Sequence, residues 1–227
     1  MFRNLPRVTK LLLLINIAVF VLQWLLEYSA LGRAILDYLQ LWPLGAGKIY
    51  GGAGFMPWQV LTYGFLHADF GHLLFNLIPI LMFGAMIEHQ WGARSYLTYY
   101  LVCVVGAGLC QLLVTSVLLH YYGDAVTTVG ASGAVYGLIL AFALLFPNQK
   151  ITMLPFPIVL RARTLAMLYA GIALAYGIFG TREGVAHFAH LGGMLTGWLL
   201  IRYWQRRPPF GRRPPKKKKR SHLRVVH

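Results

Sequence analysis

Gly130-Ala131-Ser132-Gly133-Ala134-Val135-Tyr136-Gly137-Leu138-Ile139-Leu140-Ala141-Phe142-Ala143-Leu144-Leu145-Phe146 is the stretch on which the reading of this chain turns. It carries no charge, surrounds one serine with small residues, and is stopped by Pro147. From Ala131 it has 16 residues. As a helix that reaches about 24 Å, short of the ~30 Å hydrocarbon core of a bilayer. With its inner end at one membrane surface, its outer end is sunk below the other. Ser132 then stands at a helix N-terminus inside the membrane. Two readings follow. The hydroxyl caps and packs the helix, with Gly133-xxx-Gly137 as a close-approach spacing. Alternatively it is a nucleophile beside free N–H groups and the positive end of the helix dipole, which suit a developing oxyanion. Gly130 and Gly133 would let another backbone come close.

The rest of the chain supports the membrane setting. Of 227 residues, 58% are hydrophobic and 12% charged, about half the charge of a soluble domain. Apolar runs predict an all-α polytopic membrane protein, a bundle of six transmembrane helices at about 11–26, 60–87, 96–119, 131–146, 164–179 and 186–203. Together they make a membrane domain over residues 1–204. Trp24 and Glu27 fit an interfacial helix end better than a cleavage site, so the first run reads as a span and not a signal peptide. Residues 28–58, with Gly45, Gly47, Gly51, Gly52 and Gly54 among Trp42, Tyr50 and Trp58, predict a structured external loop in the membrane interface. Pro155-Phe156-Pro157 stops helix propagation in the connection after Pro147.

Net charge is +15, concentrated at one end. Eleven of the 21 Lys and Arg lie between Arg202 and Arg224. Residues 205–227 therefore read as a basic, disordered tail held near anionic headgroups rather than a nucleic-acid binder. An arrangement with both termini in the cytoplasm places eighteen Lys and Arg on that side, against Arg33, Lys48 and Arg182 outside. The positive-inside rule selects it. Cys103 and Cys110, two helical turns apart, read as free thiols.

Polar residues that could act with Ser132 enter from the same face. His190 lies seven residues after Glu183, and Ser132 eight after Asp124. Both segments run outside to inside, so the two side chains share a depth. Gly193-xxx-Gly197 permits close helix contact beside His190. A neutral imidazole there could take the serine proton, or simply hydrogen-bond between helices. His187, three residues earlier, is a second candidate base. His72 and Asn76 are four apart on one helical face and could donate to an oxyanion. They could equally be helix–helix glue. No acid is placed to complete a triad, so a Ser–His dyad is the economical arrangement. Tyr136, one turn after Ser132, could pack on the His190 ring.

Together these residues resemble the rhomboid family of intramembrane serine proteases, in their bacterial six-helix form. The resemblance rests on Phe65-Leu66-His67 with His72 and Asn76, Gly130-Ala131-Ser132-Gly133, and Ala189-His190-Leu191-Gly192-Gly193 with Gly197. Gly84-xxx-Glu88-xxx-Gly92 is similar to a structural motif of the family. The resemblance implies Ser132 as nucleophile and His190, in preference to His187, as general base and then acid. It implies an oxyanion hole from His72, Asn76 and the Ser132 N–H, with Tyr136 against His190 and His67 in support. It implies an inner-membrane protein that cleaves single-span membrane proteins in or near the span, without metal or cofactor. Where the family often has Trp-Arg in the first loop, this chain has Trp58-Gln59, which bears on loop rigidity. The competing reading from the residues alone is a metal- or haem-binding transporter, with His67, His72, His187 and His190 as ligands. Metal or haem content separates the two.

Overall fold

The computed structural model of the chain describes residues 5–50, 54–153, 158–179 and 186–206. The Pro155-Phe156-Pro157 stop, Arg182, Glu183 and tail residues 207–227 lie outside them.

The architecture is a bundle of six long helical segments. They are α1 (Arg7–Leu26), a span built of α5 (Phe70–Pro79) and α6 (Ala85–Trp91), α7 (Ala93–Tyr122), α8 (Ser132–Leu145), α9 (Ala162–Phe179) and α10 (His187–Trp204). Shorter helices α2 (Ala30–Leu39), α3 (Ala46–Tyr50) and α4 (Gln59–Thr62) lie between α1 and α5. Four segments, Arg7–Leu26, Phe70–Trp91, Ala93–Tyr122 and Ala162–Phe179, are long and apolar enough to cross a membrane. Their lipid-ready faces leave large apolar side chains such as Leu22, Phe75, Leu113 and Phe179 exposed. In lipid those faces need no further cover.

Most helix bounds fall within a few residues of the expected ones, but the second span does not begin at 60. Residues 59–65 form α4 and a tight 3₁₀ turn, Tyr63–Phe65. The span proper starts at Phe70, where the Asp69 side chain accepts the His72 N–H as an N-cap at 2.8 Å. Near-continuous hydrophobicity from Val60 hid that break. Pro79, which cannot donate to the ladder, precedes a widened turn at Ile80–Gly84 before α6 resumes. The expected interfacial loop is largely helical. Amphipathic α2 starts from Ser29, whose hydroxyl accepts the Gly32 N–H at 2.9 Å. An addition to the all-α scheme is an antiparallel hairpin between α8 and α9, pairing β1 (Lys150–Met153) with β2 (Ile158–Arg161).

Six segments alternate in direction, so the start of α1 meets the end of α6. Pro6 precedes α1 with no capping side chain, which leaves the first N–H groups of that helix unpartnered. Glu88 fills the role from α6. Its carboxylate accepts from Val8 N at 2.9 Å, Thr9 N at 2.7 Å and Thr9 Oγ1 at 2.8 Å. At the same end Trp91 packs edge-on against Trp204 of α10, with ring centroids 5.5 Å apart.

The 14-residue α8 is the centre of the bundle, with nine of its residues buried. It is about 21 Å long at 1.5 Å per residue. Glycines set its distance from its neighbours. A Cβ on Gly193 would collide with the Gly133 backbone carbonyl. One on Gly137 would sit 2.5 Å from Cys103 Sγ. One on Gly197 would overlap the Tyr99 hydroxyl. Backbone-to-backbone contact of this kind is how membrane helices gain packing energy without a hydrophobic drive. Cys103 is buried and Cys110 half-buried, both free thiols.

Candidate active site

Ser132 opens α8, and its hydroxyl does not cap the helix: Ala131 is the N-cap residue and no side chain bonds the first turn. The Oγ instead lies 2.8 Å from Nε2 of His190 on α10. Equal depth in the sequence thus corresponds to contact in space. The approach that permits it is the Gly133–Gly193 crossing, one residue after Ser132 and three after His190. Both side chains are half-buried.

Three anchors hold the backbone leading to Ser132. Thr128 pairs with Leu41 through two backbone hydrogen bonds of 3.0 Å. Its hydroxyl accepts from Gln111 Nε2 at 3.1 Å. Gly130 N donates to Tyr63 O at 2.9 Å, and the Tyr63 hydroxyl in turn donates to Val104 O at 2.8 Å. Gly130 has φ +125°, a conformation that favours glycine. A Cβ there would also lie 2.6–2.7 Å from the His72 ring. Glycine is therefore needed twice, for its backbone and for the room it leaves His72.

His72 is aimed by the loop before it. Its Nδ1 accepts the Ala68 N–H at 3.3 Å, which leaves the proton on Nε2. Cε1 and Nε2 are the ring atoms that a Cβ on Gly130 would meet, two residues before α8 begins at Ser132. Asn76, buried one turn later, donates from Nδ2 to the His72 carbonyl at 2.8 Å. One of its two amide hydrogens is thus engaged within its own helix, and the other remains to donate.

Tyr136 lies flat on the His190 imidazole, with centroids 4.1 Å apart and planes inclined by 6°. His190 Nδ1 has no hydrogen-bond partner among the described residues. The His190 ring also meets His187 edge-on at 5.6 Å, and His187 is itself in contact with Tyr176. His67 is fully buried, with neither ring nitrogen partnered among the described residues, and its ring meets His72 edge-on at 5.3 Å. It precedes the α5 span, and burial, then the neighbouring His72, pushes its pKa down to about 4. It stays neutral and puts no charge beside His72. Among the described residues, no group of three His, Cys, Asp or Glu side chains could hold a metal ion. The four histidines meet as ring contacts, His67 with His72 and His187 with His190.

Gln23, Tyr63 and Gln111 were not singled out by sequence reasoning. Gln23 and Gln111 are isolated amides in apolar helices, and that isolation is the signal that marks them.

The fold and this site define an integral membrane protein of helical type, with a serine–histidine pair at the N-terminal end of a short central helix. A Rhomboid domain model matches residues 54–207. The chain belongs to the rhomboid family. It is 30% identical over 147 residues to Rhomboid protein 1, mitochondrial, of Saccharomyces cerevisiae, covering 62% of this chain and 40% of that protein. It is 29% identical to RHOMBOID-like protein 4 of Arabidopsis thaliana over 82% of this chain and 43% of the relative. Rhomboid-like protease 3 of Toxoplasma gondii is 30% identical over 72% of this chain and 57% of its own length. The chain thus spans about half the length of these relatives.

Proposed function

We propose that this chain is an intramembrane serine endopeptidase working through a Ser132–His190 dyad. The observation that carries the reading is the 2.8 Å contact of Ser132 Oγ with His190 Nε2 at the N-terminus of α8. Family membership and the protease among the relatives support it.

In this mechanism Ser132 Oγ attacks a peptide carbonyl while His190 Nε2 takes its proton. The carbonyl oxygen becomes an oxyanion beside the unpaired N–H of Ser132, the Nε2–H of His72 and the free amide hydrogen of Asn76. His190 then protonates the leaving amine, the C–N bond breaks, and an acyl-enzyme remains on Ser132. Water, deprotonated by His190, releases the new C-terminus and restores the serine. Tyr136 holds the imidazole plane through both proton transfers. Every proton has a donor and an acceptor in the chain or in water, so the reaction needs no metal or cofactor.

A site below the membrane surface suits single-span membrane proteins, cut in or near the span, as substrates. The orientation we propose follows charge. The end bearing Arg7, Lys10, Arg94, Lys150, Arg161 and Arg163 faces the cytoplasm, and the Ser132 end faces outward.

The test is labelling by a serine-reactive fluorophosphonate in detergent or liposomes. The parent is expected to label, and both Ser132→Ala and His190→Ala to lose the label. Labelling of Ser132→Ala at the parent rate would show another nucleophile and end this reading.

A further inference from the structure

We infer that Gln23 is a positioning residue that sets the aim and tautomer of His72; this rests on the reading of His72 as an oxyanion donor. Gln23 sits near the end of α1, 44 residues from its partner. Its Nε2 donates to the His67 carbonyl at 2.7 Å, and its Oε1 accepts the His67 N–H at 3.1 Å. One carboxamide thus occupies both polar backbone groups of one residue, as a paired strand would. The two bonds hold the peptide groups on either side of the His67 Cα, Leu66–His67 through its N–H and His67–Ala68 through its carbonyl.

The His67–Ala68 group is the one that matters for His72. The carbonyl of His67 and the N–H of Ala68 belong to the same rigid, planar peptide group. Holding the His67 carbonyl therefore holds the Ala68 N–H in direction. Ala68 N–H is the donor to His72 Nδ1, and that bond leaves the proton on Nε2, the atom beside Gly130. Asp69, next in the chain, caps α5 through the His72 N–H. The order of control is Gln23 amide, His67–Ala68 peptide, His72 Nδ1, His72 Nε2–H.

Nothing else among the described hydrogen bonds ties the His67 backbone to another helix. The His67 ring gives no polar anchor, since both its nitrogens lack partners among the described residues. If Gln23 is lost, the Ala68 N–H can rotate away. His72 is then free to place its proton on Nδ1 and present a lone pair where a donor is needed. Substrate binding, which does not use the Ser132 site's oxyanion donors until the carbonyl becomes tetrahedral, is little changed.

The experiment is a double-mutant cycle on cleavage of a model transmembrane substrate in liposomes, with kcat and KM resolved. Gln23→Ala is expected to lower kcat about tenfold and to move KM less than twofold. His72→Ala is expected to lower kcat more, and Gln23→Ala/His72→Ala to match His72→Ala alone. Gln23→Glu keeps an acceptor for the His67 N–H but cannot donate to the carbonyl when ionised. It should also lower kcat, and serves if the alanine variant fails to fold. A Gln23 effect that persists in full in the His72→Ala background overturns the inference, as does one confined to KM or an unchanged kcat. His72→Ala at the parent rate would instead overturn the oxyanion role of His72, a separate outcome.

Discussion

Two buried polar centres lie at opposite ends of the bundle, and they are built differently. At the basic end, Glu88 has both carboxylate oxygens occupied, accepting three hydrogen bonds from the first turn of α1. At the other end, His190 makes one side-chain hydrogen bond, to a hydroxyl, and its Nδ1 has no partner among the described residues. A carboxylate so fully paired is committed to the helix terminus it caps, and disturbing it forfeits those bonds. Among the described residues the His190 side chain bonds Ser132 and no helix terminus, so a change at that bond leaves the fold in place. Occupied valence fits a structural role, and spare valence fits the chemistry proposed for Ser132 and His190.

The sharpest break of that contrast is removal of the Ser132–His190 pair. Under the proposed function Ser132→Ala and His190→Ala are expected to cut kcat at least about 10³-fold, because a nucleophile and its base act as a unit. Unfolding midpoints in mild detergent should stay within a few degrees of the parent. A large drop in midpoint with modest loss of kcat would place the pair with Glu88 as a structural element.

Next comes the contact that brings the pair together. Gly193→Ala puts a methyl group against the Gly133 carbonyl and must push α8 from α10. A misplacement of about 1 Å is expected to lower kcat on the order of 10²-fold. Labelling by a fluorophosphonate should slow in parallel. Unchanged labelling would mean that the crossing does not set the Ser132–His190 distance.

Glu88→Gln reverses the pattern. An amide in place of the carboxylate turns one acceptor into a donor that faces N–H groups of α1. The unsatisfied groups are expected to cost about 1–3 kcal/mol of stability. The labelling rate of the folded fraction should remain within about twofold of the parent. If it falls as far as in Gly193→Ala, the two ends are coupled and the division of roles fails.

Much of this contrast was legible in the sequence, and for a physical reason. Membrane depth is nearly one-dimensional, so counting from the last external charge placed Ser132 and His190 at one level. Helix spacing put His72 and Asn76 on one face. What counting along a chain does not register is pairing between distant backbones. The Gln23 contact with His67 joins α1 to a loop 44 residues on, and no local pattern announces it. The start of the second span at Phe70 had a local signal in Asp69, but the largely apolar run from Val60 to Leu66 outweighed it. Ile151, Thr152, Ile158 and Val159 are β-branched residues flanking a proline pair, which is a hairpin signal. Searching only for helices passed over it.

The smallest expected effect tests whether spare valence alone is enough. His190 lacks a carboxylate on Nδ1 among the described residues, so something else must fix the plane of its ring. The 4.1 Å, 6° stack with Tyr136 is the candidate. Tyr136 also meets Tyr169 of α9 edge-on at 5.4 Å, which fixes its own ring in turn. Aromatic pairs contribute about 0.5–1.5 kcal/mol beyond buried area. Tyr136→Leu is therefore expected to lower kcat by about threefold to tenfold, while Tyr136→Phe, which keeps the stacked face, should stay within about twofold of the parent. If the two variants fall equally, the hydroxyl and not the face is what His190 uses, and the ring must be held by another contact.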